Sequence, residues 1–213
     1  MIAVVDMGIG NLQSVLEAFR RVGAATFVTS SAEEVTRAEA VVLPGVGAFG
    51  DGMESLREKG LVEPLRRHAA DGRPLFGICL GMQLLAEESE EHGRHAGLGI
   101  LPGRVVRLAP TSRTCRVPNM GWCDVHPVPR PDGKLFARVP HGEAFYFAHS
   151  YHVSGARPEH VAAMIEYDGG TLAAALEHDN IFGIQFHPEK SQDAGLEVVA
   201  AFIDAVRTLP VRA

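Results

Sequence analysis

Leu75-Phe76-Gly77-Ile78-Cys79-Leu80-Gly81-Met82-Gln83 is the stretch on which the fold turns. Leu75 to Ile78 is a short apolar run, suited to a strand buried on both faces. From Leu80 to Glu88 the pattern becomes helical. A buried strand passing at once into a helix marks the carboxyl edge of an open α/β sheet, where such folds place their sites.

The pattern repeats on the amino-terminal side. Ile2 to Val5 is a second buried strand. Leu12, Val15, Leu16, Phe19 and Val22 then form one apolar stripe at spacings of three and four, capped by Asn11 and stopped by Gly23. Thr26 to Thr29 and Ala40 to Leu43 are further strands, and residues 50–70 hold one or two helices. Strand, helix, strand in this order predicts right-handed crossovers and a parallel sheet with helices on both faces.

Beyond Arg104 the character changes. Val105 to Leu108, Phe145 to Ala148, Val161 to Tyr167, Leu172 to Leu176 and Ile181 to Phe186 are strand-like and separated by Pro and Gly. They predict antiparallel hairpins added to the parallel sheet. A closing helix presents Leu196, Val199, Ile203 and Val206. The expectation is one α/β domain over residues 1–213, with no repeat or linker.

Composition limits the function. The chain has 213 residues, 46% hydrophobic and 22% charged, with a formal net charge of -6. That charge gives no electrostatic reason to expect nucleic acid, whose phosphates call for a basic patch. No apolar run reaches membrane-spanning length. Met1 to Asp6 reads as a first strand rather than a signal peptide. Three cysteines without regular spacing argue against a disulfide framework or a structural zinc site, and for a reducing cytoplasm.

The chemistry centres on Cys79. Gly77-Ile78-Cys79-Leu80-Gly81 has the physics of a nucleophile elbow, with a strained turn between glycines that leave it room. The following helix N-terminus favours a thiolate and aims backbone N–H groups at a developing oxyanion. Alone, Cys79 would be better read as a buried core cysteine. Gly183-Ile184-Gln185-Phe186-His187-Pro188-Glu189 supplies the missing partners. A cysteine nucleophile needs a base, and the base needs a carboxylate to fix its tautomer. H-P-E alone could be a strand-terminal histidine beside a solvated glutamate; with the elbow it predicts a Cys79–His187–Glu189 triad.

Six segments in order resemble a known family: Asp6 to Asn11 (DMGIGN), Pro44 to Phe49 (PGVGAF), Gly77 to Gln83 (GICLGMQ), Pro118 to Trp122 (PNMGW), Tyr146 to Tyr151 (YFAHSY) and Gly183 to Ser191 (GIQFHPEKS). G-x-C-x-G-x-Q with H-P-E is similar to class I glutamine amidotransferases in general. The other segments resemble the glutaminase subunits of imidazole glycerol phosphate synthases, of histidine biosynthesis. The resemblance implies a flavodoxin-like fold, release of ammonia from L-glutamine and its delivery to a (β/α)8-barrel cyclase subunit in a heterodimer, with no cofactor and no metal. It implies Cys79 as nucleophile, His187 as acid and base, and Glu189 as its orienter. It implies oxyanion-hole N–H groups from Gly47 and Leu80, with the Pro44–Gly47 loop able to turn a peptide toward or away from the site. Gln83, Glu91, Ser150 and Tyr151 would bind glutamine, and Trp122 and Tyr146 would face the cyclase. Read without the resemblance, Gln83 and Glu91 are surface residues and Trp122 and Tyr146 core aromatics. Other amidotransferase subunits, such as those of pyridoxal phosphate synthesis, a stand-alone γ-glutamyl hydrolase and an inactive binding subunit are the alternatives.

Three residues depart from the family's usual pattern: Met7, where tyrosine is common, and Asn119 and Cys123, which flank the M-G-W segment. The expectation places all three at the docking surface. His92 and His95 lie in a glycine-bounded loop without further ligands at suitable spacing. His149 and His152 fall on opposite faces if their strand continues. Gly8-Ile9-Gly10 lacks the third glycine of a dinucleotide fingerprint.

Overall fold

The computed structural model describes residues 1–112 and 115–209. In chain order the strands and helices are β1 (Ile2–Val5), α1 (Leu12–Arg21), β2 (Thr26–Thr29), α2 (Ala32–Arg37), β3 (Ala40–Gly45), α3 (Phe49–Glu58), α4 (Val62–Ala70), β4 (Leu75–Cys79), α5 (Leu80–Leu84), β5 (Glu88–Ser89), β6 (His95–Ala96), β7 (Arg104–Arg107), β8 (Asn119–Pro127), β9 (Glu143–His149), β10 (Tyr151–Ser154), β11 (Val161–Tyr167), β12 (Gly170–His178), β13 (Ile181–Ile184) and α6 (Gln192–Thr208). Among the described residues no helix is long and apolar enough to cross a membrane.

A nine-stranded sheet runs in the order β2-β1-β3-β4-β13-β12-β11-β8-β9. From β2 to β13 neighbours are parallel; from β13 to β9 they are antiparallel. This is the mixed α/β architecture the sequence predicts. One strand exceeds the hairpin expectation: β13 turns back from β12 and also lies parallel to β4, joining the two halves. A second sheet, β10-β7-β5-β6, is assembled from short pieces, of which the sequence pattern announces only β7.

The parallel strands alternate between two cores. Ile2, Val4, Ala40, Val42, Phe76 and Ile78 face one side with Val15 and Phe19 of α1 and Val198, Phe202 and Val206 of α6. Ala3, Val5, Val41, Leu43 and Leu75 face the other with Val35, Met53, Leu56 and Leu65. Burial on both faces explains why these strands are unbroken apolar runs. Asn11 caps α1 by accepting from the Ser14 N–H, and Gly23 ends it at φ 76°. The buried face of α6 is rotated from the stripe expected: Phe202 is at its centre, stacked on Phe76 at 4.7 Å, while Leu196 is only partly buried. The helix after Cys79 is shorter than its apolar pattern suggests, ending at Leu84 rather than Glu88. The carbonyls of Leu84, Leu85 and Ala86 accept instead from the N–H groups of residues 98–101, so the chain turns into a loop that leads to β5.

Candidate active site

Cys79 ends β4 with φ 53° and ψ -109°, a left-handed backbone for a residue with a side chain. Such strain costs about 1–3 kcal/mol and persists only where the surroundings enforce it. Here the glycines enforce it. A Cβ on Gly81 would sit 1.6 Å from the Leu43 carbonyl oxygen, and one on Gly77 would sit 2.6 Å from the backbone of Gly81 and Met82. The turn folds so tightly onto β3 that no side chain fits on either flank. With α5 only five residues long, the nearby N–H groups matter more than a helix macrodipole.

β13 brings the second half of the site. Ile184 is in register with Ile78, so both strands leave the sheet at the same edge. His187 follows, and a short 3-10 turn, Pro188–Lys190, folds Glu189 back beneath it. Glu189 Oε1 lies 2.8 Å from His187 Nδ1, and only 5% and 4% of the His187 and Glu189 side-chain surfaces are exposed. That bond places the Nδ1 proton toward Glu189 and turns Nε2 to the thiol. Burial alone would push the imidazole down. Hydrogen bonds to Cys79 and Glu189, with their negative charge, outweigh it and raise His187 to about 10. The base is therefore built to hold a proton taken from sulfur.

Three hydrogen bonds fix this segment. The His187 N–H donates to the Tyr146 carbonyl at 2.9 Å, the Tyr146 N–H to Ser191 Oγ at 3.0 Å, and Ser191 Oγ to the His187 carbonyl at 2.6 Å. β9 is the last strand of its sheet, and the His187 segment occupies its outer edge.

A cleft of about 290 Å³ opens over Cys79, a size for a single amino acid rather than a large ligand. Gly47, Cys79, Leu80, Gln83, Glu91, Ser150, Tyr151 and His187 all line it. The register of Gly45 with Cys79 sets Val46 and Gly47 beside the sulfur, and Gly47 has φ 101°. Glu91 is nearly buried; one oxygen accepts from the Phe49 N–H at 2.7 Å at the start of α3. Gln83 donates from Nε2 to the Tyr151 carbonyl at 2.9 Å and to Gln185 Oε1 at 3.0 Å, which leaves its own carbonyl oxygen to meet a ligand. The Ser150 carbonyl accepts from the Leu108 N–H at 2.8 Å. A larger groove, about 900 Å³, lies at the far β2 edge between Met1 and Arg73 and is lined by no cysteine or histidine.

Trp122 and Tyr146 lie outside the cleft. They stand opposite one another on β8 and β9, their rings edge to face at 6.0 Å, with the Lys190 ammonium 5.4 Å above the Tyr146 ring. Trp122 is 50% and Met120 65% exposed. Trp122 is not the core aromatic that an unaided reading gives, and Tyr146 is half-buried.

The three departures lie elsewhere than expected. Met7 is buried beneath Gly45, whose Cβ would meet the Met7 methyl at 2.6 Å. It fills the core, not a docking surface. Asn119 points inward, its Nδ2 3.1 Å from His149 Nε2, and Cys123 sits 3.7 Å behind it. His149 Nδ1 lies 2.9 Å from the Tyr151 carbonyl. Burial holds His149 down at about 4 against the pull of that bond. The strand does not continue past Ser150: His149 ends β9 and His152 lies in β10, close enough for its charge to act on His149. The His95 ring rests on Gly50 of α3. Among the described residues no group of His, Cys, Asp and Glu could hold a metal ion. Sequence reasoning missed Gln185, His149 and Ser191 as site residues, although their buried, polar character within quoted motifs was a signal.

Comparisons with known proteins identify the family and the fold. Glutamine amidotransferase class-I is the family that matches, over residues 3–205. This chain belongs to that family. The imidazole glycerol phosphate synthase subunit HisH of Syntrophotalea carbinolica is 47% identical over 208 residues, covering 96% of this chain and 100% of the relative. The subunit of the same name from Moorella thermoacetica is 50% identical over 206 residues, covering 97% and 95%. The crystal structure of a glutamine amidotransferase superimposes with a TM-score of 0.76 at 20% identity, over 98% of this chain and 100% of that one. Class I amidotransferases share the fold described here.

Proposed function

We propose that this chain is the glutaminase subunit of an imidazole glycerol phosphate synthase, acting in the cytoplasm as one amidotransferase domain over its whole length. The observation that carries the reading is the shared sheet edge, where parallel β4 and β13 deliver Cys79 and the His187–Glu189 pair to one amino-acid-sized cleft.

The steps follow from the residues. Glutamine enters with its carboxamide over Cys79. Its amino group meets Glu91 and the Gln83 carbonyl oxygen, and its carboxylate meets the Ser150–Tyr151 bend. The thiol proton passes to His187, and sulfur attacks the carboxamide carbon. The oxyanion faces the N–H groups of Gly47 and Leu80. His187 returns the proton to the nitrogen, the C–N bond breaks, and ammonia leaves a γ-glutamyl thioester. Water, deprotonated by His187, then cleaves the thioester to glutamate and restores the thiol. Glu189 orients the imidazole throughout.

Ammonia released this way serves synthesis only if a partner covers the site. The exposed Met120 and Trp122, with the half-buried Tyr146 beside them, support a (β/α)8-barrel cyclase as that partner, giving imidazole glycerol phosphate and AICAR. The test is to purify the chain with candidate synthase subunits. A stable complex with the cyclase is expected, with glutamine turnover raised by orders of magnitude when the cyclase's ribonucleotide ligand is added. A lone chain as fast as the complex would point to a stand-alone hydrolase.

A further inference from the structure

We propose that Gln185 is a positioning residue that donates a hydrogen bond to the Cys79 sulfur and holds it for attack. The proposal rests on Cys79 being the nucleophile. Gln185 follows β13 directly and is 1% exposed, with its Nε2 3.6 Å from Cys79 Sγ. Its backbone N–H is committed to the Ala174 carbonyl at 2.8 Å, so the residue cannot shift along the strand.

The direction of the side-chain amide is forced. A backbone carbonyl can only accept. The Gln83 atom 2.9 Å from the Tyr151 carbonyl must therefore be nitrogen. That nitrogen also lies 3.0 Å from the Gln185 amide, so the Gln185 atom facing it must be oxygen. The other Gln185 atom, the one aimed at sulfur, is then NH₂. His149 donates to the same Tyr151 carbonyl at 2.9 Å and holds the end of the chain in place. A buried amide must satisfy its donors, and here one is directed at the sulfur.

A donor on sulfur holds a thiolate more firmly than a neutral thiol, because the bond becomes charge-assisted. It also restricts rotation of the side chain, which keeps sulfur aimed at the carboxamide carbon. Once the thioester forms, sulfur is neutral and the bond weakens, so the intermediate is not trapped. The chain of amides begins at Tyr151, in the wall proposed to meet the substrate carboxylate. Alignment of the sulfur is thereby tied to the binding wall.

The test uses the full chain. Iodoacetamide labelling of Cys79 is followed by mass spectrometry, beside kcat and KM for glutamine. Gln185→Met is expected to slow labelling and lower kcat about tenfold each, with KM changed less than about twofold. Gln185→Glu is expected to be slower still, because a carboxylate accepts rather than donates and brings like charge to the sulfur. A role in shape alone predicts the reverse, since Glu is the closer isostere. Gln83→Met leaves residue 185 intact but frees its amide to turn, and should also slow labelling; it decides the matter if the Gln185 variants do not fold. Labelling unchanged in Gln83→Met, Glu matching or outperforming Met, or a loss confined to KM would overturn the proposal. If Cys79→Ala still turns over glutamine, the nucleophile assignment fails and takes this proposal with it. A dead Cys79→Ala beside a normal Gln185→Met overturns the positioning role alone.

Discussion

β4 and β13 run side by side with Gly77 opposite Gly183, whereas β8 and β9 run against each other with Trp122 opposite Tyr146. The first pair is built by subtraction. Side chains are missing where the backbone must turn and where Met82 must lie close to β13. The second pair is built by addition, from large rings matched across strands. The first arrangement fixes the atoms proposed to react. The second exposes apolar surface that something else can cover. A polypeptide can thus place a nucleophile mainly through backbone geometry and a docking face mainly through side-chain pairs.

The largest effect that could break this contrast is on turnover. Cys79→Ala should lower glutamine hydrolysis by roughly four orders of magnitude or more while urea unfolding stays cooperative, because the elbow is set by its glycines. His187→Ala should cost more than Glu189→Gln, and the double variant little more than His187→Ala, since the triad acts as a unit. Additive losses, read as ammonia release, would separate Glu189 from the triad.

The two regions should also differ in tolerance of a single methyl group. Gly81→Ala would drive its Cβ into the Leu43 carbonyl and should destabilise the chain by at least about 4 kcal/mol or prevent folding. Gly121→Ala on β8, at φ 136° with nothing within 4 Å, meets only backbone strain and should cost about 1 kcal/mol. Similar urea midpoints for the two would end the distinction.

Buried histidines give the contrast a pH signature. His68 and His149 are held at about 4 against an unfolded value of 6.5, so the unfolded chain takes up protons first. Their contribution to stability is complete above 6.5 and is lost as pH falls toward 4. His187, raised to about 10, behaves oppositely: its contribution is complete below 6.5 and is lost as pH rises through 10. Urea midpoints across this range should show both limbs. His149→Gln should flatten the acid limb by about 2–3 kcal/mol, and Cys79→Ala should reduce the alkaline one. An acid limb unmoved by His149→Gln would contradict the buried neutral imidazole.

The smallest effect on the isolated chain is expected at Trp122. Trp122→Ala should change stability by less than about 1 kcal/mol yet weaken association with the cyclase about 10- to 100-fold. Calorimetric titration would read it, and unaltered affinity would move the docking face elsewhere.

The same division governs what the sequence made legible. The parallel half could be read directly, because burial on both faces writes strands as apolar runs and helices as stripes. Cys79, His187 and Glu189 were legible because each sits at the end of such a run. β5, β6, β8 and β10 were harder to see. They are short or half-exposed, and Asn119–Pro127 carries polar residues on a strand whose partner lies 30 residues away at His149. Met7 and Asn119 were placed at a surface because a departure from a family pattern says nothing of direction. Only the fold shows that one points into the core and the other toward His149. Gln185 was hidden for a related reason: its partners at positions 79 and 83 become neighbours only when β13 docks on β4.

That docking has a consequence for biosynthesis. As the chain emerges from the ribosome, residues 75–79 are made about a hundred residues before the strand that pairs with them, as the 106-residue separation of Gln185 and Cys79 shows. Until residues 181–184 arrive, β4 is an open edge able to recruit any free strand, and Cys79 lacks its imidazole. The nascent enzyme therefore passes through a long sticky, chemically silent period. Reactivity is acquired in the same event that closes the sheet.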